Sequence, residues 1–238
     1  MSTPTTTLHL IPVGLSESPT QQWLPADTQA MAGQIDVYIA ENAKTARAFL
    51  KLFGTQKPIQ EITIHTLSTK TQDAEIKQWL LAPGSAGRIG LVSEAGCPAV
   101  ADPGAKVVMQ AHRMGIRVIP WVGPSSILLG LMASGLEGQR FAFHGYAPVN
   151  SAERAQQLKQ WEQQSAKLGQ TQLFIETPYR NGAMFQSLLE QLKPNTRLCI
   201  ARALTSDKEW VQTRTIAEWK KQPTPELDKL PTLFLFLA

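Results

Sequence analysis

Short apolar runs, each followed by a segment with helical spacing, recur through the first half of the chain. Leu8–Val13 reads as a strand, and Gln34–Glu41 follows with Ile35, Val37 and Ile39 alternating. Asn42 stands where a helix cap belongs, Ala46, Phe49, Leu50 and Phe53 have helical spacing, and Gly54 stops the run. Ile59–Leu67 is expected as a strand and Lys70–Leu81 as a helix. A strand at Ile89–Val92, a helix near Pro103–Met114 and a strand at Arg117–Val122 continue the series. Strands alternating with helices call for a mostly parallel sheet covered on its faces.

From Gly123 onward the rhythm changes. An apolar helix, ILLGLMASG, ends at Gly135, and strands are expected at Phe141–Ala147 and Thr171–Thr177. Helices are expected at Ala152–Leu168 and Arg180–Leu192. Three further strands, Arg197–Thr205, Trp210–Ile216 and Thr232–Leu237, have no long helix between them and suit a mixed or antiparallel arrangement. The expectation is two α/β domains, residues 1–122 and 123–238.

The chain has 238 residues, which suits one large domain or two modest ones. No run of eighteen apolar residues is present, so no membrane helix is expected. The start, MSTPTTTLHLIPVG, lacks the basic and apolar regions of a secretory signal, and its first seven residues are expected as a disordered tail. Two cysteines, Cys97 and Cys199, argue against a disulfide framework and a cysteine zinc site, and fit a reducing cytoplasm. His9, His65, His112 and His144 match no metal-ligand spacing, so no metal is expected. Residues 1–122 carry ten Lys+Arg against nine Asp+Glu, and residues 123–238 carry thirteen against ten. That mild basic bias permits an anionic partner without demanding one.

Four loops follow strands: Pro12–Leu15 (PVGL), Ser93–Gly104 (SEAGCPAVADPG), Gly123–Ser126 (GPSS) and Glu176–Arg180 (ETPYR). Loops at the carboxyl ends of strands are where α/β proteins bind ligands. The second is much longer than an ordinary strand–helix connection. In it Gly96 permits close backbone approach, Gly104 permits a left-handed backbone, and Pro98 and Pro103 limit the loop's freedom. Glu94 offers a carboxylate for an amine or a ribose hydroxyl, or is simply solvated. Ser125 and Ser126 can cap a helix or hold a carboxylate at its positive end. Arg180 can grip a phosphate, or stand as a surface arginine. Neither a G-x-G-x-x-G fingerprint nor a G-x-x-x-x-G-K-[ST] phosphate loop nor a G-x-S-x-G elbow is present.

In this order and at these intervals, the loops resemble the tetrapyrrole methylase superfamily of S-adenosyl-L-methionine-dependent methyltransferases. Within it the chain is most similar to the bacterial small-subunit ribosomal RNA 2′-O-methyltransferase I family. That family's PIGN-like loop is matched by Pro12–Leu15, its S-D-A-G-T-P-A-x-S-D-P-G loop by Ser93–Gly104, and its G-P-S-A turn by Gly123–Ser126. Its F-x-G-F-x-P is matched by Phe143–Pro148 and its Y-E-A-P-H-R by Ile175–Arg180. Its A-R-E-L-T-K is matched in part by Ala201–Ser206, and its E-D-T-R is replaced by Glu41-Asn42-Ala43-Lys44. The substrate-facing positions therefore depart more than the cofactor loops do.

The resemblance implies two α/β domains with the cofactor, S-adenosyl-L-methionine, in a cleft between them. It implies cofactor contacts at Gly14, Leu15, Glu94, Gly96, Cys97, Ser125, Ser126 and the backbone of Ile175. It implies a homodimer without a metal, acting in the cytoplasm on ribosomal RNA or the small ribosomal subunit. A ribose hydroxyl is a weak nucleophile that benefits from a base or a nearby cation, and Glu41, Glu176, Arg180 and Arg202 are the catalytic candidates. A methyltransferase for a small tetrapyrrole-like molecule, and a non-catalytic cofactor-binding protein, remain the alternatives.

Overall fold

The computed structural model describes residues 6–84 and 87–238. The chain forms two compact units, Met1–Ser125 and Ser126–Ala238. Each has its own five-stranded sheet.

The first unit contains the strands β1 (Thr7–Leu10), β2 (Val37–Ala40), β3 (Thr63–Thr66), β4 (Arg88–Val92) and β5 (Arg117–Pro120). Its helices are α1 (Ala26–Gly33), α2 (Ala43–Lys51), α3 (Asp73–Leu81) and α4 (Gly104–Arg113). The strand order is β3-β2-β4-β1-β5, and every pairing is parallel. Apolar side chains fill both faces. One face gathers Leu8, Ile39, Ile89 and Leu91 with Ile76 and Leu80 of α3 and Val107 and Ala111 of α4. The other gathers Tyr38 and Val92 with Ala32 of α1 and Phe49 and Leu50 of α2. A sheet buried on both faces explains why β2 and β4 read as nearly unbroken apolar runs.

Local signals set several boundaries. The Asn42 side chain accepts the backbone N–H of Lys44 at 2.9 Å and starts α2. Helix α1 has no periodic apolar stripe; it buries only Thr28 and Ala32 and was not expected. The expected strand at Ile59 begins with a 3₁₀ turn (Ile59–Glu61) and becomes β3 only at Thr63. Of the expected tail, residues 1–5 lie outside the described residues, while Thr7 is already in β1 and pairs with Arg88 and Arg117. In the core of β1, His9 is held between the Trp121 indole, which donates to Nδ1 at 3.0 Å, and the Thr7 hydroxyl at 3.0 Å from Nε2. Burial, with Arg88 and Arg117 nearby, pushes its pKa down to about 4.

The second unit contains α5 (Ser126–Ser134), β6 (Phe141–Tyr146), α6 (Ser151–Leu168), β7 (Thr171–Ile175) and α7 (Asn181–Gln191). It ends with β8 (Arg197–Arg202), β9 (Trp210–Thr215), α8 (Ile216–Trp219) and β10 (Thr232–Leu237). The order is β6-β7-β10-β8-β9: β6 and β7 are parallel, and the remaining pairings are antiparallel. Aromatic residues dominate one face, where Phe174, Phe234 and Phe236 meet Trp161 of α6, Phe185 of α7 and Trp219 of α8. The opposite face receives α5, whose Gly130 sits so close that an added Cβ would lie 2.5 Å from Leu233. Thr215 and Glu218 form a reciprocal capping box that turns the expected end of β9 into the short helix α8.

Candidate functional site

Three of the four loops converge within the first unit. Val13 and Gly96 exchange backbone hydrogen bonds of 2.9 and 3.0 Å, joining the loop after β1 to the loop after β4. Gly96 takes a left-handed backbone, with Leu15 and the Pro124 carbonyl against it. The Cys97 thiol donates to the Pro124 carbonyl at 3.4 Å. Gly123 rests on Pro12 so tightly that a Cβ would come within 2.3 Å of the ring. The backbones of the three loops can approach this closely only because glycines stand at the crossings.

The long loop is shaped by one carboxylate. Asp102 accepts the Ala99 N–H at 3.0 Å and the Gly104 N–H at 2.6 Å. Ala99 and Ala101, with φ of 68° and 61°, adopt the left-handed backbone expected at Gly104. Gly104 instead begins α4, and its missing side chain leaves room for the Asp102 carboxylate, 2.7 Å from where a Cβ would sit. The Asp102 side chain thus fixes the loop as an Asx cap fixes a helix start. Asp two residues before a Gly, at a strand-to-helix junction, is the pattern that would have assigned it this role.

Glu41, Glu94 and Asp102 interact at the carboxyl ends of β2 and β4. Burial raises the pKa of Glu41, and the negative charges of Asp102 and Glu94 add to the rise, against a hydrogen bond from the Glu94 backbone. Burial also raises that of Asp102, opposed by its two backbone donors. Thr45, which sequence reasoning did not single out, donates its hydroxyl to Glu94 at 2.6 Å. Burial shifts Cys97 upward, so its thiol stays protonated. A Glu41 carboxylate that feels the negative charges of Asp102 and Glu94, beside packed backbone, favours a positively charged ligand group. Ser125 closes the first unit and Ser126 opens α5; both are half-buried.

The fourth loop belongs to the second unit. Glu176 follows β7, is only 5% exposed, and accepts the Thr177 N–H at 2.6 Å and an Arg180 N–H at 2.5 Å. That hydrogen bond, against some desolvation, raises the Arg180 pKa above its already high ordinary value. Ile175, half-buried, pairs with Leu233 on one side and Tyr146 on the other. Arg202 ends β8, donates to the Glu226 carbonyl, and lies 5.2 Å over the Trp210 ring.

The catalytic candidates therefore fall into two groups, Glu41 on the first unit and Glu176, Arg180 and Arg202 on the second. Among the described residues, no cluster of His, Cys, Asp and Glu suits a metal ion, and no helix is long and apolar enough to cross a membrane.

The fold is that of the tetrapyrrole methyltransferases. The chain superimposes on the methyltransferase CobJ with a TM-score of 0.61 at 15% identity, covering 99% of this chain and 95% of that one. Uroporphyrin-III-C-methyltransferase from Thermus thermophilus gives a TM-score of 0.55 at 16% identity, covering 98% and 92%. No family model matches the sequence. Among curated proteins, ribosomal RNA small subunit methyltransferase I of Neisseria meningitidis is 31% identical over 189 residues, 79% of this chain and 62% of the relative. The protein of the same name from Xylella fastidiosa is 30% identical over 224 residues, 93% and 77%. The chain belongs to the ribosomal RNA small subunit methyltransferase I family of S-adenosyl-L-methionine-dependent methyltransferases. It spans 62% of the length of the Neisseria relative.

Proposed function

We propose that this chain binds S-adenosyl-L-methionine and transfers its methyl group to small-subunit ribosomal RNA, with a ribose 2′-oxygen as the acceptor. The observation that carries the reading is the convergence of Pro12–Leu15, Ser93–Gly104 and Gly123–Ser125 beside Glu41, Glu94 and Asp102. This donor set fits the cofactor, whose sulfonium and ammonium are the positive charges those carboxylates lack. When bound, the cofactor supplies an already activated methyl group.

Gly14, Leu15, Gly96 and Cys97 would line its place on the first unit, with Glu94 facing its positive charge. Ser125 and Ser126, at the start of α5, are suited to its carboxylate. The protein's main work is then alignment and exclusion of water. Glu41 and Glu176 are our candidates to accept the hydroxyl proton, and Arg180 and Arg202 to offset phosphate charge near the acceptor. The relatives' name and the basic bias of the second half support RNA as partner. Self-association is proposed through α5, whose Leu128 and Met132 are exposed on successive turns. A cytoplasmic location follows from the RNA reading and from two cysteines without a bridge.

The test is a ribose-methylation map of small-subunit RNA from cells with and without the protein. One lost methyl group is expected, restored by the wild-type chain. S-adenosyl-L-methionine at a hundredfold excess over its Kd should add about 2.7 kcal/mol of stability. An unchanged map would move the acceptor to another molecule, and an unchanged melting temperature would remove the cofactor assignment.

A further inference from the structure

The register of the second sheet places Glu176, Thr232, Arg202 and Trp210 in one row. Ile175 pairs with Leu233, so Glu176, the next residue, comes opposite Thr232; Thr232 pairs with Arg202, and Arg202 with Trp210. Cross-strand partners share a face, and this face also carries Phe174 and Phe234. Asn181, the first residue of α7, adjoins the row: its Nδ2 donates to the Thr232 hydroxyl at 3.1 Å and the Leu230 carbonyl at 2.7 Å.

Several polar atoms at this end of the sheet are left without partners. Among the described residues, Glu176 Oε2, Asn181 Oδ1, Arg180 Nε and Arg202 Nε are buried and make no hydrogen bond. Two are acceptors and two are donors. Each such atom costs about 1–3 kcal/mol if it stays unpaired, and Glu176 and Asn181 are almost wholly shielded from solvent. The outer edge is the opposite. Tyr179 is 78% exposed and Tyr146 is 58% exposed, and the Arg180 side chain is 37% exposed. Tyr146 lies beside Ile175 in the sheet and close enough to Arg180 to interact with its charge.

These features exclude the simpler ligands. A metal ion would meet two guanidinium groups. A free phosphate would meet the Glu176 carboxylate. An apolar molecule would leave every orphaned atom unsatisfied. A hydroxyl group both donates and accepts, as the orphaned set requires. An aromatic ring stacks on tyrosine, and a phosphodiester pairs with an exposed arginine edge. A ribonucleotide carries all three.

We propose that Tyr179, Tyr146 and Arg180 form a docking edge for one unpaired ribonucleotide of the RNA substrate, whose ribose hydroxyls complete the Glu176–Arg202 row. The proposal rests on the RNA reading given above and assigns the second unit a stacking role in it. Stacking of a base on an aromatic side chain is strong and tolerant of sequence, so the edge positions a nucleotide and does not select its base.

The test compares the full-length wild-type chain with Tyr179→Ala and Tyr179→Phe, all supplied with small ribosomal subunits and labelled S-adenosyl-L-methionine. Tyr179 is exposed, so neither substitution should unfold the chain. Tyr179→Ala should raise the KM for the subunit roughly 5- to 150-fold, the range expected for one lost stack. Tyr179→Phe should stay within about threefold, because the ring is kept. Thermal stabilisation by S-adenosyl-L-methionine should not change in either variant. Wild-type methylation with an unaltered KM for Tyr179→Ala would overturn this inference alone. Loss of the cofactor's stabilisation in Tyr179→Ala would also overturn it, by assigning the edge to the cofactor's adenine. A wild-type chain that methylates no small-subunit RNA would remove the underlying reading as well.

Discussion

The two sheets are organised in opposite ways. The first is crossed at close range by glycines: Gly90 lies under Tyr38, and Gly123 lies on Pro12. The second is packed by large rings: Phe174 stacks 5.5 Å from Phe234 and lies 5.3 Å from Trp161. Their functional edges differ in the same way. The first presents backbone and carboxylates, and the second presents tyrosines and arginines. The difference separates two tasks. An acidic, backbone-lined edge suits a small cation held in one geometry, whereas an aromatic and cationic edge suits a flexible polyanion. In the proposed reading, methyl donor and RNA are divided between the units along that chemical line.

The contrast predicts that each unit fails by the opposite kind of change. Truncation should hurt the second unit most. Phe174→Ala removes a fully buried ring from a stacked cluster and should lower stability by about 3–5 kcal/mol. Urea unfolding gives the magnitude, and hydrogen exchange should place the lost protection in β7, β8 and β10. Equal loss throughout the first sheet would break the comparison. Addition should hurt the first unit. A methyl group at Gly90 would meet the Tyr38 ring at 2.2 Å, and that ring is pinned by its hydroxyl, which donates to the Ala32 carbonyl at 2.7 Å. Gly90→Ala should therefore lower stability by about 1–3 kcal/mol. A smaller loss would mean that Tyr38 has room to move, and that close packing is not what shapes this sheet.

These local causes explain what was readable in advance. The alternation of Val37, Ile39, Ile89 and Leu91 with helical segments sufficed for a parallel first sheet, because burial on both faces writes itself into composition. The series of strands after Asn195 likewise indicated the antiparallel part of the second. Helix α1 escaped because ADTQAMAG buries only a threonine and an alanine, which leave no periodic signal. Helix α8 carried a signal, the T-x-x-E box of Thr215 and Glu218, but its apolar neighbours read as strand. At the site, glycine and proline marked the loops. Asp102 carried a signal, an Asp two residues before the Gly that starts a helix, whereas Thr45 carried none, because its bond from α2 to the loop after β4 is a contact that spacing does not encode. The grouping of Glu176 with Arg202 depends on strand register, which individual loops do not reveal.

The mildest change bears most directly on the proposed division of labour. Glu41 has a raised pKa because of its burial and the charges of Asp102 and Glu94. A carboxyl whose folded pKa lies above its unfolded value favours the folded state when protonated, and that advantage is lost as pH rises through the folded value. Above that folded value the ionised Glu41 opposes folding slightly, and there Glu41→Gln should be as stable as the wild type or a little more so. The difference should vanish as pH falls below the ordinary glutamate range, where both side chains are neutral. Binding should move the other way, because the variant loses one negative charge facing a cationic ligand. S-adenosyl-L-methionine affinity should fall roughly tenfold, the scale of one charge-assisted hydrogen bond. S-adenosylhomocysteine, which lacks the sulfonium charge, should lose less. Calorimetric titration of both ligands at pH 7 reads the two effects together. Equal losses would show that Glu41 acts on the shape of the loops and not on charge, and the electrostatic half of the contrast between the two edges would fall.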